Sequence, residues 1–384
     1  MSSPPKFPQV AILVSTVHGW GRRIIKGILS YANEVGPWHV WINSDTTDRL
    51  KKLPNGWRGD GIIARVSTPE LVSNIRESGL PAVNVADASI QGFSAPCVRT
   101  DDAAATRMAA DFFTDRGFRN IAYIGPRHSA NPIWYGQAFR EALLERGIEL
   151  HEYTSRDSVS LESDPMLIKW LLALPKPAGI LVWGQGYGLL VVDSCLEAGI
   201  SVPHDIAVLC GSYDELLSYA CFPALSGILS PTEQIGYRAA QLLHRMMDGK
   251  KVSAETTYLP PLGIMERLST DTLAVDDPQL KKVVAFIQAH AFEQITMADI
   301  LRAVPMARRS LERRFQQVFG RSPLDEIRRI RIDKARRLLA ETDLPMQHIA
   351  EACGYATYNY LTHIFKQGTG ITPRDYRKKM QSKG

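Results

Sequence analysis

Cysteine is scarce in this chain. Its five residues, Cys97, Cys195, Cys210, Cys221 and Cys353, are odd in number and scattered over 384 positions, and no two form a Cys-x-x-Cys pair. That spacing excludes a disulfide framework and a clustered-thiolate zinc site, and it fits a reducing compartment. Long apolar runs are missing as well, since none approaches the ~20 residues that a helix needs to cross a bilayer. The segment from Met1 to Pro8 carries no hydrophobic stretch of the kind used for export, so a cytoplasmic protein without a membrane partner is expected. What remains is ordinary globular material, 45% hydrophobic and 22% charged, and enough of it for two or three domains.

An excess of one charge is also nearly absent from the whole, with 45 Lys and Arg against 40 Asp and Glu. The balance is uneven along the chain. From Gln279 onward there are 20 basic and 10 acidic residues, a net of +10, which leaves 25 against 30, a net of −5, for the part before it. A basic C-terminal segment on a slightly acidic body is the footprint of a region that meets phosphates.

The basic segment repeats one pattern. The first copy runs from Thr296 to Ala303, breaks at Val304-Pro305-Met306 and resumes from Arg308 to Phe315. The second runs from Pro345 to Ala352, breaks at Cys353-Gly354-Tyr355 and resumes from Thr357 to Phe365. Each copy reads as a short helix, a tight turn and a second helix, the layout of a helix-turn-helix whose second helix enters a DNA major groove. Leu311 with Phe315, and Leu361 with Phe365, place an apolar pair on one helical face. The positions left to face double-stranded DNA are Arg308, Arg309, Glu312 and Arg313 in the first copy, and Tyr358, Asn359, Thr362, His363 and Lys366 in the second. Arginine pairs with guanine and asparagine with adenine through the major groove. Between the copies, residues 324–339 keep Ile327, Ile330, Ala335, Leu338 and Leu339 apolar among arginines, which predicts a spacer helix.

Residues 9–270 alternate between apolar runs and amphipathic stretches. The runs Val10–Val14, Gly61–Ala64, Ala82–Val85, Ile121–Ile124, Gly179–Val182 and Ile206–Leu209 predict buried strands. Helices are expected between them over 23–35, 69–78, 103–116, 136–146, 167–174, 189–198 and 234–247. Such alternation builds parallel sheets covered on both faces, which bind ligands at the carboxyl ends of their strands. The loops expected there hold Ser15, Trp20 and Arg22, then Thr100-Asp101-Asp102, Trp134-Tyr135, Gln185 and Tyr213-Asp214. Aromatic rings beside carboxylates and amides suit a sugar, which has apolar faces and a rim of hydroxyls. Each residue alone has a plainer reading too, because a Trp is often core and an Asp after a strand often caps a helix. Only Arg22 and Arg23 supply positive charge, so a neutral sugar is expected in preference to a phosphorylated one.

Two resemblances follow from these motifs. Residues 296–379, with Ala335-Arg-Arg-Leu-Leu339 and Ile349-Ala-x-x-x-Gly-Tyr355, resemble the DNA-binding domain of the AraC/XylS family. That implies seven helices with two recognition helices in successive major-groove turns. The chain departs from the family at Ala303-Val-Pro-Met306, where an Ala-x-x-x-Gly-x-Ser pattern is usual. Residues 9–270 resemble the effector domain of LacI/GalR-type repressors, a type I periplasmic-binding fold. The carrying runs are Ile24-Ile-Lys-Gly27, Gly59-Asp-Gly-Ile-Ile63, Asp101-Asp102, Arg116 to Gly125, Gly211-Ser-Tyr-Asp214 and Arg267-Leu-Ser-Thr270. This second likeness implies two lobes, chain crossings between them, a sugar in the cleft, and a homodimer. It also implies that Asp214 grips sugar hydroxyls, with Tyr135 near where an Arg is frequent and Gly184-Gln185 in place of an Asn-Asp pair.

An AraC-type domain behind such an effector domain is the architecture of the XylR-like regulators of xylose operons, and the whole chain resembles that group. The expected organisation is a disordered N-terminus over 1–8, a sugar-binding domain over 9–272, a linker over 273–281 and a double helix-turn-helix domain over 282–384. The resemblance implies an activator that answers to D-xylose, binds operator half-sites as a dimer and engages RNA polymerase. No metal or cofactor is expected. Another sugar, or no small-molecule effector, stays open as an alternative. An enzyme using Gly184-x-Gly186-x-Gly188 as a nucleotide loop is remote, because that spacing departs from Gly-x-Gly-x-x-Gly and Glu197 is too close to be its acidic residue. A repair protein would need clustered zinc-ligand cysteines, and a transport binding protein would need an export signal.

Overall fold

The computed structural model describes residues 7–42, 53, 57–85, 93–126, 130–155, 164–272, 277–319 and 321–381. Contacts divide the chain into two units, one of residues 1–202 and 207–270, the other of 203–206 and 271–384.

The first unit is built on twelve strands among the described residues: β1 (Gln9–Leu13), β2 (His39–Ile42), β3 (Gly61–Ala64), β4 (Ala82–Asn84), β5 (Cys97–Thr100), β6 (Asn120–Pro126), β7 (Leu150–Ser155), β8 (Ala178–Val182), β9 (Ile206–Cys210), β10 (Ser226–Leu229), β11 (Thr256–Leu259) and β12 (Gly263–Met265). Its helices are α1 (Gly19–Val35), α2 (Pro69–Ser78), α3 (Asp102–Asp115), α4 (Ala130–Leu144), α5 (Pro165–Ala173), α6 (Gln185–Glu197), α7 (Glu215–Ser218) and α8 (Thr232–Met247). The strands form two sheets, ordered β11-β5-β4-β3-β1-β2 and β12-β10-β9-β8-β6-β7. Strand β1 pairs in parallel with β2 and β3, β4 with β3 and β5, β5 with β11, β6 with β7 and β8, and β9 with β10, while β10 and β12 are antiparallel.

The first five strands lie in one sheet and the next five in the other, while β11 returns to the first and β12 to the second. The chain therefore changes lobe three times, as the effector-domain resemblance implies. The central strands β1, β3, β8 and β9 are apolar and almost wholly buried, because helices cover both faces of their sheets. The outer strands β2 and β11 alternate or sit half-exposed, and no continuous apolar run marks them in the sequence.

The second unit contains, among the described residues, seven helices: α9 (Pro278–His290), α10 (Met297–Ala303), α11 (Arg308–Phe319), α12 (Pro323–Glu341), α13 (Met346–Ala352), α14 (Tyr358–Thr369) and α15 (Pro373–Gln381). The spacer expected over 324–339 is α12, which starts in a capping box between Ser322 and Asp325. Its buried Ala335 and Leu339 pack with Ile349, Ala350, Leu361, Ile364 and Phe365 from the second repeat.

Three boundaries differ from expectation. Helix α9 begins inside the expected linker, because Asp277 accepts hydrogen bonds from the Gln279 and Leu280 amides and Pro278 occupies the first helical position. Residues 273–276 of that linker lie outside the described residues. The first unit closes at Thr270, so Asp271 belongs with the helices. Of the expected disordered N-terminus, residues 1–6 also lie outside the described residues, but the Pro8 carbonyl already accepts a 2.8 Å hydrogen bond from His39.

Candidate functional site

The carboxyl ends of β1 and β5 in one lobe and of β6, β8 and β9 in the other carry the residues expected to bind a sugar. Trp20 lies in the first turn of α1, half-buried, with the Arg65 guanidinium 5.4 Å from its ring centre. Asp214 follows β9 and caps α7 by accepting from the Leu216 and Leu217 amides at 3.1 and 3.3 Å. Its other carboxylate oxygen lies against Gly19 of the opposite lobe. A Cβ built on Gly19 would come within 2.0 Å of Asp214 Oδ2, so a larger residue there would push the carboxylate aside. Arg23 crosses in the same place and donates to the Tyr213 carbonyl at 3.0 Å and to Thr232 Oγ1 at 3.1 Å.

Tyr135 and Gln185 lie in the second lobe, and neither is in a loop. Tyr135 belongs to the second turn of α4 and is 3% exposed, its ring centre 5.3 Å from that of Trp183 in an edge-on arrangement. Burial, reinforced by the nearby Asp102 carboxylate, pushes its phenol pKa well above the ordinary value. Gln185 is the first residue of α6 and is 4% exposed, with its Nε2 donating to Ser218 Oγ at 2.8 Å. Tyr135 Oη and Gln185 Oε1 are both buried and lack any hydrogen-bond partner among the described residues. Asn131 Oδ1, one turn before Tyr135 on α4, is in the same position. A buried polar atom left dry costs roughly 1–3 kcal/mol, and these three belong to α4 and α6 of the second lobe.

Other expected residues also have partners within the fold. Asp101 caps α3 by accepting from the Ala104 amide at 2.9 Å, while Asp102 pairs with Arg99. Arg22 is exposed and braces its own loop by donating to the Thr16 and Val17 carbonyls, both at 2.8 Å. Its neighbour Arg23 faces the other lobe, a difference of one position on a helix. Ser15 accepts from the Val17 amide, Thr100 ends β5 half-buried, and the Tyr213 hydroxyl accepts from Arg267. Trp134 is 43% exposed, although its neighbour Tyr135 is buried. Sequence reasoning missed Arg65, Asn131, Trp183 and Ser218. Ser218 carries no sequence signal, since its role depends on where α7 meets α6.

In the second unit, the outward faces of α11 and α14 carry Arg309, Arg313, Asn359, His363 and Lys366, all exposed. Leu311, Phe315, Leu361 and Phe365 are fully buried behind them. Arg308 is exposed and pairs with Glu312 at 2.9 Å. Tyr358 is half-buried against the core of the second repeat, and the Thr362 hydroxyl is buried without a partner among the described residues. Arg314 turns inward to Asp277 and Gln279.

The two turns differ. The second passes through Gly354 at φ 76°, whereas among the described residues the first has no left-handed residue and leaves α10 through an extended Val304. Behind both, α12 buries two charged residues. Arg331 donates to the Ala291 and Glu293 carbonyls at 2.7 and 2.5 Å. Burial lowers the pKa of Arg331. Glu326, 3% exposed, is bonded by Arg321 and Arg329. Burial pushes its carboxyl pKa up, but those guanidinium contacts outweigh burial and hold it below 4.5.

Among the described residues, no group of His, Cys, Asp and Glu side chains is placed to hold a metal, and no helix is long and apolar enough to cross a membrane. Comparison with known proteins agrees with both units. Residues 9–101 match the XylR N-terminal domain, 110–270 a periplasmic binding protein-like domain and 300–379 a helix-turn-helix domain. The xylose operon regulatory protein of Escherichia coli K12 is 28% identical over 379 residues, covering 96% of either chain. That of Haemophilus influenzae is 27% identical over 390 residues, covering 97% of this chain and 98% of its own. A solved structure of the xylose-binding transcription activator xylR superposes with a TM-score of 0.79 at 26% identity, over 97% of this chain and 98% of that one. Three successive domain matches and relatives aligned almost end to end leave one architecture, and the chain is a XylR-like DNA-binding transcription regulator, not an enzyme.

Proposed function

We propose that this regulator binds a neutral sugar, D-xylose first, between the two lobes of its periplasmic-binding-like unit, and that the bound sugar sets how well its two recognition helices hold DNA. The observation that carries the reading is the set of orphaned buried polar atoms, Tyr135 Oη, Gln185 Oε1 and Asn131 Oδ1, at the carboxyl ends of the second sheet. Trp20 supplies an apolar face, and Asp214 supplies an acceptor between the lobes. Asp101 and Arg22 act from behind, one capping α3 and the other bracing the loop after β1. The choice of D-xylose draws on the two xylose operon regulators and the xylose-binding activator structure that align over the whole chain.

On the DNA side, Arg309, Arg313, Asn359 and His363 read base edges, and Lys366 contacts phosphate. Arg308 and Glu312, paired with each other, orient the start of α11, while Tyr358 and Thr362 support α14 from its inner side. The regulator works as a cytoplasmic homodimer on paired half-sites and activates by engaging RNA polymerase. Sugar can act only through different affinities for the two arrangements of the protein.

The test is thermal unfolding across neutral and phosphorylated sugars, since a ligand that binds the folded state raises the melting temperature by mass action. A shift with D-xylose and none with its phosphate supports the reading. No shift with any sugar refutes the effector assignment.

A further inference from the structure

We propose that Gln185 determines effector specificity by presenting its amide oxygen, a hydrogen-bond acceptor, with the amide held in one orientation by Ser218. The inference rests on the sugar-site reading above and deepens it by stating what the sugar must offer at that wall.

The orientation follows from counting protons. Ser218 is fully buried at the end of α7, and its hydroxyl has a single proton. That proton goes to the Asp214 carbonyl at 2.8 Å, the same carbonyl that accepts the Ser218 amide at 2.9 Å. Only lone pairs of Ser218 Oγ are then left to face Gln185. A Gln185 carbonyl placed there would either set two acceptors 2.8 Å apart or draw the hydroxyl proton off the Asp214 carbonyl, whereas the NH2 group facing Ser218 keeps both bonds. The Oε1 atom is thereby turned to the other side, where it is buried with no partner among the described residues. Gln185 cannot swing away to reach water, because it is 4% exposed and is the first residue of α6, directly after Gly184 at the end of β8.

The buried Oε1 acceptor demands a donor from the ligand. A hydroxyl satisfies it. A carbonyl, carboxylate or phosphate oxygen, or a fluorine, leaves two acceptors face to face. Nearby, Asp214 caps α7 with one oxygen and presents the other towards Gly19, adding a second group that favours hydroxyl donors when ionised. The class of effector that fits is a ring-form aldose with free hydroxyls, and sugar acids and sugar phosphates are rejected at this position by their chemistry as well as by their charge.

The experiment is isothermal titration calorimetry of the full chain with D-xylose and its four monofluoro pyranose analogues, each of which loses a donor at one carbon and keeps a weak acceptor. The wild-type chain should reject one analogue by at least ten-fold relative to D-xylose. Gln185→Met should weaken D-xylose by about 10- to 100-fold and abolish the penalty at that one carbon, with the other penalties unchanged. Ser218→Ala frees the amide to turn its NH2 towards the ligand, so the same penalty should shrink while D-xylose still binds. Penalties that stay the same in both variants overturn the inference and leave the sugar site standing. A wild-type chain that gives no heat with any of these sugars overturns the site reading itself. If Gln185→Met binds nothing, the Ser218→Ala pattern alone decides.

Discussion

Two glycines end or precede the helices of the second repeat, and they separate strain from collision. Gly354, in the turn before α14, has φ 76°, and Gly370, which caps the end of α14, has φ 79°. An alanine at either position adopts a left-handed backbone that costs roughly 1–2 kcal/mol, partly offset by about 0.4–1 kcal/mol because the unfolded chain has less freedom to lose. At Gly370 nothing lies within 4 Å of the added Cβ, so Gly370→Ala should cost only the difference. At Gly354 the Cβ would meet the Phe292 carbonyl oxygen at 2.7 Å and its carbon at 2.9 Å.

That backbone has little room to yield, since Arg331 grips the carbonyls on either side of Phe292 and Gln294 donates to the Gly354 carbonyl at 2.9 Å. Overpacking of this kind adds about 1–3 kcal/mol, so Gly354→Ala should cost roughly 2–4 kcal/mol in all. Hydrogen exchange of the α13 and α14 amides in the full chain reads the difference. Exchange should accelerate by less than about ten-fold for Gly370→Ala and by roughly 30- to 1000-fold for Gly354→Ala. Equal acceleration in the two variants, or wild-type protection in Gly354→Ala, would refute the close approach as the reason for glycine there.

Glu326→Gln removes the buried carboxylate from Arg321 and Arg329, which keep Asp271 as a partner, and should cost about 1–3 kcal/mol of helical-unit stability. Because Glu326 has a folded pKa below 4.5, its contribution is present above the unfolded value and is lost as pH falls through the folded one. Melting curves from pH 7 down to pH 3 should therefore show a shallower acid loss in Glu326→Gln, and a wild-type slope in the variant would contradict the burial argument. Asn359→Ala should relax preference at one base pair by about 1–3 kcal/mol, while Lys366→Ala weakens all sequences alike and lowers the salt slope by about 1. Fluorescence anisotropy on selected and scrambled duplexes separates the two, and uniform weakening by Asn359→Ala would make Asn359 a phosphate contact. Asp214→Ala should abolish the response to sugar, at about 1 kcal/mol for the lost cap, with sugar-free DNA binding intact; loss of that binding would make Asp214 structural.

What the sequence disclosed depended on how many residues speak for one feature. Both helix-turn-helix units were legible because Leu311, Phe315, Leu361 and Phe365 repeat at helical spacing, and each is buried where that spacing requires. The central strands were legible because burial on both faces makes them continuously apolar, whereas edge strands such as β11 offer no such run. The binding residues were legible only in part. Asp101 and Asp102 are chemically the same and adjacent, yet one caps α3 while the other pairs with Arg99. Arg22 and Arg23 divide in the same way, because one step along α1 turns a side chain by about 100°. On α14, Thr362 occupies an outward-reading position, but its hydroxyl is buried. Ser218 could not be found at all, since its bond to Gln185 spans 33 positions and exists only once α6 and α7 have packed.

The measurement that tests the central claim most directly is the affinity of the full chain for D-xylose, by calorimetry, with and without a duplex selected from random sequence. If sugar and DNA act through one pair of states, D-xylose must change DNA affinity by the same factor by which DNA changes D-xylose affinity, typically about 5- to 150-fold. Two equal factors in that range would support a sugar-gated regulator. D-xylose binding that is indifferent to DNA, or no D-xylose binding at all, would contradict it.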